Sequence, residues 1–130
     1  MEKEFVPYEQ ALALKELGFD EPCILLYRGL DTQPVCQMGY EFKTEKNSDY
    51  NDEINYWLTV PTYSQAFRWF REKYGLISYV HPLALLQDTK KWCYEITNFE
   101  SSWDEYSDLH TLEEAELACL LELINICKKK

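Results

Sequence analysis

Glycine is scarce: the 130 residues include only four, and these are scattered, so no Gly-rich loop is present to cradle a phosphate. HExxH, GxSxG and CxxC are likewise missing, which removes the usual signatures of zinc proteases, serine hydrolases and zinc-binding domains. No apolar run approaches the roughly 18 residues that a membrane span needs, and "MEKEFVPYEQ" lacks the apolar core of a signal peptide. These absences predict a soluble cytoplasmic protein without a metal or cofactor. Lys and Arg are absent from Trp92 to Cys127, a stretch that holds Glu95, Glu100, Asp104, Glu105, Asp108, Glu113, Glu114, Glu116 and Glu122. The formal net charge of −10 repels nucleic-acid phosphate and anionic membranes, so direct binding to either is disfavoured.

What is present is core material. The hydrophobic share of 46% and the aromatic share of 15% are too high for a disordered chain, and the length suits one domain over residues 1–130. The five cysteines, Cys23, Cys36, Cys93, Cys119 and Cys127, are odd in number and widely spaced. They read as reduced thiols acting as small apolar side chains.

Helix boundaries are the clearest local signals. Thr62 with Gln65 and Thr111 with Glu114 each match the capping box, in which two side chains satisfy backbone N–H groups left open at a helix start. Pro7 suits a first turn, and Gly18 and Gly75 stand where a C-terminal cap requires positive φ. Helices are therefore predicted at 7–17, 62–74 and 111–127. Alternation in "VCQMGYEF" and "KWCYEIT" predicts antiparallel strands, with "CILLY" and "LISYV" as hairpin partners and "YWLTVP" as a weaker extended stretch. The polar segments 43–55 and 100–110 read as loops, and "DYNDE" in the first lacks the glycine and terminal glutamate of a calcium loop. The fold class is α+β in the order α-ββ-α-ββ-α, with the hairpins forming a sheet on which the helices pack. "YEQALALKELGF" and "YSQAFRWFREKYGL" share Tyr-x-Gln-Ala and a terminating glycine, and "LEEAELACL" echoes the opening with Glu for Gln. Units 8–42 and 63–97 would then be duplicated αββ modules, although any amphipathic helix start can look alike.

The basic, aromatic helix in "PTYSQAFRWFREKYG" raises the question of a binding platform. Tyr63, Phe67, Phe70 and Tyr74 form one narrow stripe and read as core, with Arg68, Glu72 and Gln65 opposite. Three basic residues against one acidic are too few for a nucleic-acid site in a chain of this sign. Trp69 falls off the stripe, and Trp103 and Tyr106 stand in the acidic loop; these three are the candidate partner contacts. The last helix is apolar around more than half its circumference, from Leu112 to Cys127, and so is buried on two sides, within the domain or against a second copy in a homodimer. Chemistry at a thiol would fall to Cys93, the one cysteine on the polar side of its strand, paired with His81 or His110.

"EFVPYEQALALKELGF", "PTYSQAFRWFREKYGL" and "TLEEAELACLLELI" together resemble a group of small uncharacterised proteins from prophages and mobile elements of gut anaerobes. The resemblance covers the three helices in order, about a third of the chain; the family more often has Tyr where Leu112 stands. It implies a small intracellular domain and brings no catalytic residue or cofactor with it. Three functional expectations follow: a non-enzymatic accessory protein acting through a protein partner or self-association, an acidic decoy occupying a DNA-binding site on a host protein, and a small thiol or acid–base enzyme.

Overall fold

Proline before the first turn and glycine just beyond the last set the limits of the first helix. In the computed structural model, which describes residues 2–28, 35–36, 57–82, 91–98, 100 and 102–129, helix α1 spans Tyr8–Glu16. The Pro7 carbonyl accepts from the Ala11 amide at 2.9 Å, closing the first turn. At the other end Gly18 takes φ of 100°. The Gly18 amide then donates to Lys15 O at 3.0 Å and the Phe19 amide to Leu14 O at 2.9 Å. That pair of bonds is a Schellman motif, and the contact it fosters is apolar, since Leu14 and Phe19 are both buried.

The chain divides into two compact units, Met1–Thr62 and Tyr63–Lys130. In the first unit, strands β1 (Leu25–Arg28), β2 (Val35–Cys36) and β3 (Trp57–Val60) form an antiparallel sheet in the order β2-β1-β3. Leu25 faces Cys36 on one side and Val60 on the other, so β1 is the central strand. Helix α1 packs on β3, and Val6, Ala11, Leu14, Phe19, Leu26, Leu58 and Val60 are buried. The weak extended stretch "YWLTVP" thus supplies a full sheet strand. The remainder of the strand expected through Phe42, and the loop at 43–55, lie outside the described residues.

The second unit begins with α2 (Tyr63–Tyr74), followed by β4 (Ile77–Pro82), β5 (Trp92–Thr97), β6 (Ser102–Leu109) and α3 (Leu112–Lys128). Its sheet is antiparallel in the order β4-β5-β6. Two corrections to the sequence reading follow. The hairpins expected to share one sheet lie in two three-stranded sheets. The segment read as an acidic loop at 100–110 is mostly strand β6. The αββ order does recur, with antiparallel β1–β2 and β4–β5 pairs. The third strand, however, pairs with the first strand in one unit and with the second in the other.

Helix α3 contacts all three strands of its sheet and also α2. Its buried residues, Ala115, Cys119, Leu120, Leu123, Ile124, Ile126 and Cys127, therefore have partners on two sides inside the unit. The outward row of Glu114, Ala118, Leu121 and Asn125 includes one markedly exposed apolar side chain, Leu121 at 46%. The helix is capped as its sequence predicts, with the Glu114 amide donating to Thr111 Oγ1 at 3.1 Å. The return bond is shifted by one residue: Glu114 Oε2 accepts from the His110 amide at 3.0 Å.

Candidate functional site

Strand alternation and register together decide which side chains of β4 and β5 can meet. The Cα register places His81 opposite Cys93, Tyr79 opposite Glu95 and Ile77 opposite Thr97. On a pleated sheet these residues share one face, while Tyr94 and Ile96 point to the other. Tyr94 and Ile96 are buried, whereas Tyr79 is 52% exposed, so α3 covers the Tyr94–Ile96 face and leaves the Tyr79 face open to solvent.

Three chemically capable side chains meet on that open face. Cys93 Sγ lies 3.4 Å from His81 Nδ1 and 3.3 Å from His81 Nε2. His81 Nε2 lies 3.3 Å from Glu95 Oε2, and His81 Nδ1 lies 3.1 Å from the Pro82 carbonyl oxygen. A sulfur nearly equidistant from both ring nitrogens cannot sit in the ring plane without colliding with the carbon between them. It therefore lies over the face of the imidazole, and neither contact is an in-line hydrogen bond. The Cys93 thiol also approaches its partner's own backbone, donating to His81 O at 3.5 Å. The His81 and Glu95 side chains are 44% and 37% exposed, but Cys93 beneath the ring is only 1% exposed. Of the two histidines offered to Cys93, the fold brings His81 to it; His110 instead donates its backbone amide to the α3 cap. Among the described residues no three His, Cys, Asp or Glu side chains are arranged to hold a metal ion.

The three candidate partner contacts fare differently. Trp69 is buried, 6% exposed, with its ring edge-on to Phe70 at 5.0 Å and to Tyr74 at 5.5 Å. Lys73 Nζ lies 5.3 Å from the same ring, covering it with a cation. The buried set of α2 is Tyr63, Ala66, Trp69 and Phe70, so the core stripe is turned towards Trp69 relative to the sequence expectation, and Phe67 and Tyr74 become half-buried flanks. Trp69 is thereby withdrawn as a surface contact. Trp103 and Tyr106 belong by backbone to β6, an outer strand of its sheet; their side chains lie outside the described residues. The register steps from Ile96↔Asp104 to Thr97↔Ser102, which makes Trp103 the extra residue of a bulge. A second step between Trp92 and Cys93 does the same for Asp108.

Burial also acts on tyrosine hydroxyls in this unit. Tyr63 is pushed up to about 12, mainly by burial and further by the nearby Glu116 carboxylate on α3. Tyr74 is raised by burial and then by proximity to Cys127.

Sequence reasoning passed over Tyr79. The only signal that could have found it is its place midway along β4 on the polar side of an alternating pattern, which requires knowing the strand's pairing. The acidic residues of 95–122 are divided among β5, the β5–β6 connection, β6 and α3 rather than gathered on one element. No helix of the described residues is long and apolar enough to cross a membrane. Comparison with protein-family models, curated proteins and solved structures finds no match for this chain.

Proposed function

We propose that this chain is a non-enzymatic accessory protein, of the kind carried by phages and mobile elements, which acts by binding another protein across the open face of the β4-β5-β6 sheet. The observation that carries this reading is Tyr79, 52% exposed in the interior of a strand, on the face that α3 leaves bare. A tyrosine buries a large area for little lost rotamer freedom and brings a hydroxyl for pairing, which suits an interface anchor. By register Tyr106 stands opposite Tyr94 and so falls outside the open face, which leaves Trp103, in the β6 bulge at the sheet edge, as the sequence candidate beside it. The net charge of −10, with Glu95 and Glu105 registered opposite one another on this side of the sheet, favours a partner with a basic surface. Catalysis has less support: Cys93 is nearly inaccessible and lies over the ring of its histidine rather than in line with a nitrogen. Among the described residues, self-association through α3 would have the exposed Leu112 and Leu121 to build on, well short of the apolar area a stable interface buries.

The test is capture from the native host with the full chain immobilised, comparing wild type with Tyr79→Ala. Loss of a specific protein from the variant's capture supports the reading. An identical captured set refutes it. A captured DNA-binding protein that duplex DNA displaces would transfer the function to the decoy reading.

A further inference from the structure

The Cys93–His81–Glu95 cluster has a use that partner binding does not absorb. Cys23, Cys93, Cys119 and Cys127 are all buried thiols. Over the sulfur of Cys93 lies a half-exposed imidazole, at 3.3 and 3.4 Å. That ring is held in place by side-chain and backbone oxygens, Glu95 Oε2 at 3.3 Å and Pro82 O at 3.1 Å. The groups facing it from neighbouring strands are Cys93 and Glu95 on β5, Tyr79 lies beside it on β4, and the register sets Ser107 and Glu105 of β6 opposite Cys93 and Glu95.

We propose that Cys93 is a site of thiol–disulfide exchange with small disulfides, with His81 serving as both cover and base. A rotation of the His81 side chain gives up its contacts with Glu95 Oε2 and Pro82 O, draws the ring off the sulfur and turns a ring nitrogen edge towards it. The imidazole then accepts the Cys93 thiol proton as the sulfur attacks one sulfur of the small disulfide. A new Cys93 S–S bond forms, the disulfide's own S–S bond breaks, and the departing thiolate takes the proton from His81. The products are one mixed disulfide on the protein and one small thiol, with no other oxidant consumed. A mixed disulfide has no room under the ring, so the modified state keeps His81 displaced from Glu95.

The experiment uses the folded full chain and dithiodipyridine, a neutral disulfide that the net negative charge of the protein does not repel. Peptide mapping follows each cysteine separately. The proposal predicts that Cys93 is modified at least about tenfold faster than Cys119 and Cys127, and that His81→Phe, which keeps a ring over the sulfur but removes the base, slows Cys93 by a similar factor. Circular dichroism confirms that each protein measured is folded. Glu95→Ala, which frees the ring without removing the base, should instead raise the Cys93 rate. Two results overturn the proposal independently. One is a wild-type Cys93 no faster than Cys119 and Cys127, which needs no variant at all. The other is a Cys93 rate unchanged or increased in folded His81→Phe, which would make the imidazole a lid and nothing more.

Discussion

Tyr63 sits where α2 begins, buried and within reach of the Glu116 carboxylate, and its hydroxyl is pushed up to about 12. In the unfolded chain the same hydroxyl ionises near its ordinary value of 10.0. The folded state therefore holds this proton more tightly, so its contribution to stability is complete below pH 10 and is lost as pH rises towards 12. Denaturant midpoints measured across that interval should fall, and Tyr63→Phe should flatten the decline; an equal decline in the variant would show that other groups cause it. Trp69 gives a second residue-scale expectation. With its ring packed on Phe70 and Tyr74 and 6% exposed, Trp69→Ala should cost roughly 3–5 kcal/mol in equilibrium unfolding, as truncation of a core aromatic does. A loss under about 1 kcal/mol, the scale of a surface change, would put the indole back on the surface. Periodicity alone misplaced this residue because a helical pattern gives the width of an apolar arc. The centre of the arc is fixed by what packs against it, here α3 and β4.

The elements announced by local chemistry were legible. Each of the three helices lies within one residue of its expected limits, because the Pro7, Gly18, Gly75 and Thr111 signals depend on the backbone nearby and not on the rest of the fold. Gly75 shows the size of such a signal. It has φ of +68° and a Cβ built there would meet nothing within 4 Å, so Gly75→Ala should lose about 1–2 kcal/mol through the backbone alone. A thermal unfolding curve unchanged by the substitution would show that the left-handed turn is not required. Thr111→Ala removes the acceptor for the Glu114 amide and should cost about 1 kcal/mol. Strand β6, in contrast, was hidden. Its bulges at Trp103 and Asp108 each insert a residue, so the two-residue alternation that marks a strand breaks near both ends. Its serines and acids complete the resemblance to a loop, and the acids are charges of the kind by which outer strands resist pairing with other chains. The Cys93–His81–Glu95 cluster was half legible: the pairing of Cys93 with a histidine could be listed, but choosing His81 requires the β4–β5 register. A one-residue slip would send Cys93 to the α3 side of the sheet.

Across the whole molecule, the α+β class and the alternation of helices with antiparallel strands follow from the sequence, whereas the distribution of strands between two sheets does not. Hairpin patterns specify partners within a hairpin and are silent on which sheet receives it. The function proposed here depends on the face that remains once α3 has covered the other side of the second sheet, and that face is a property of the folded unit alone. The charge of −10 predicts that a basic partner is held more weakly as salt rises, while an interface anchored mainly on aromatic area would be nearly indifferent. The most direct measurement is capture from the native host by wild type, Tyr79→Ala and Trp103→Ala, each with its unfolding curve. The account predicts that Tyr79→Ala unfolds within about 0.5 kcal/mol of wild type yet loses a protein that wild type retains, with Trp103→Ala weakening the same capture. Retention of that protein by a stably folded Tyr79→Ala variant would contradict it.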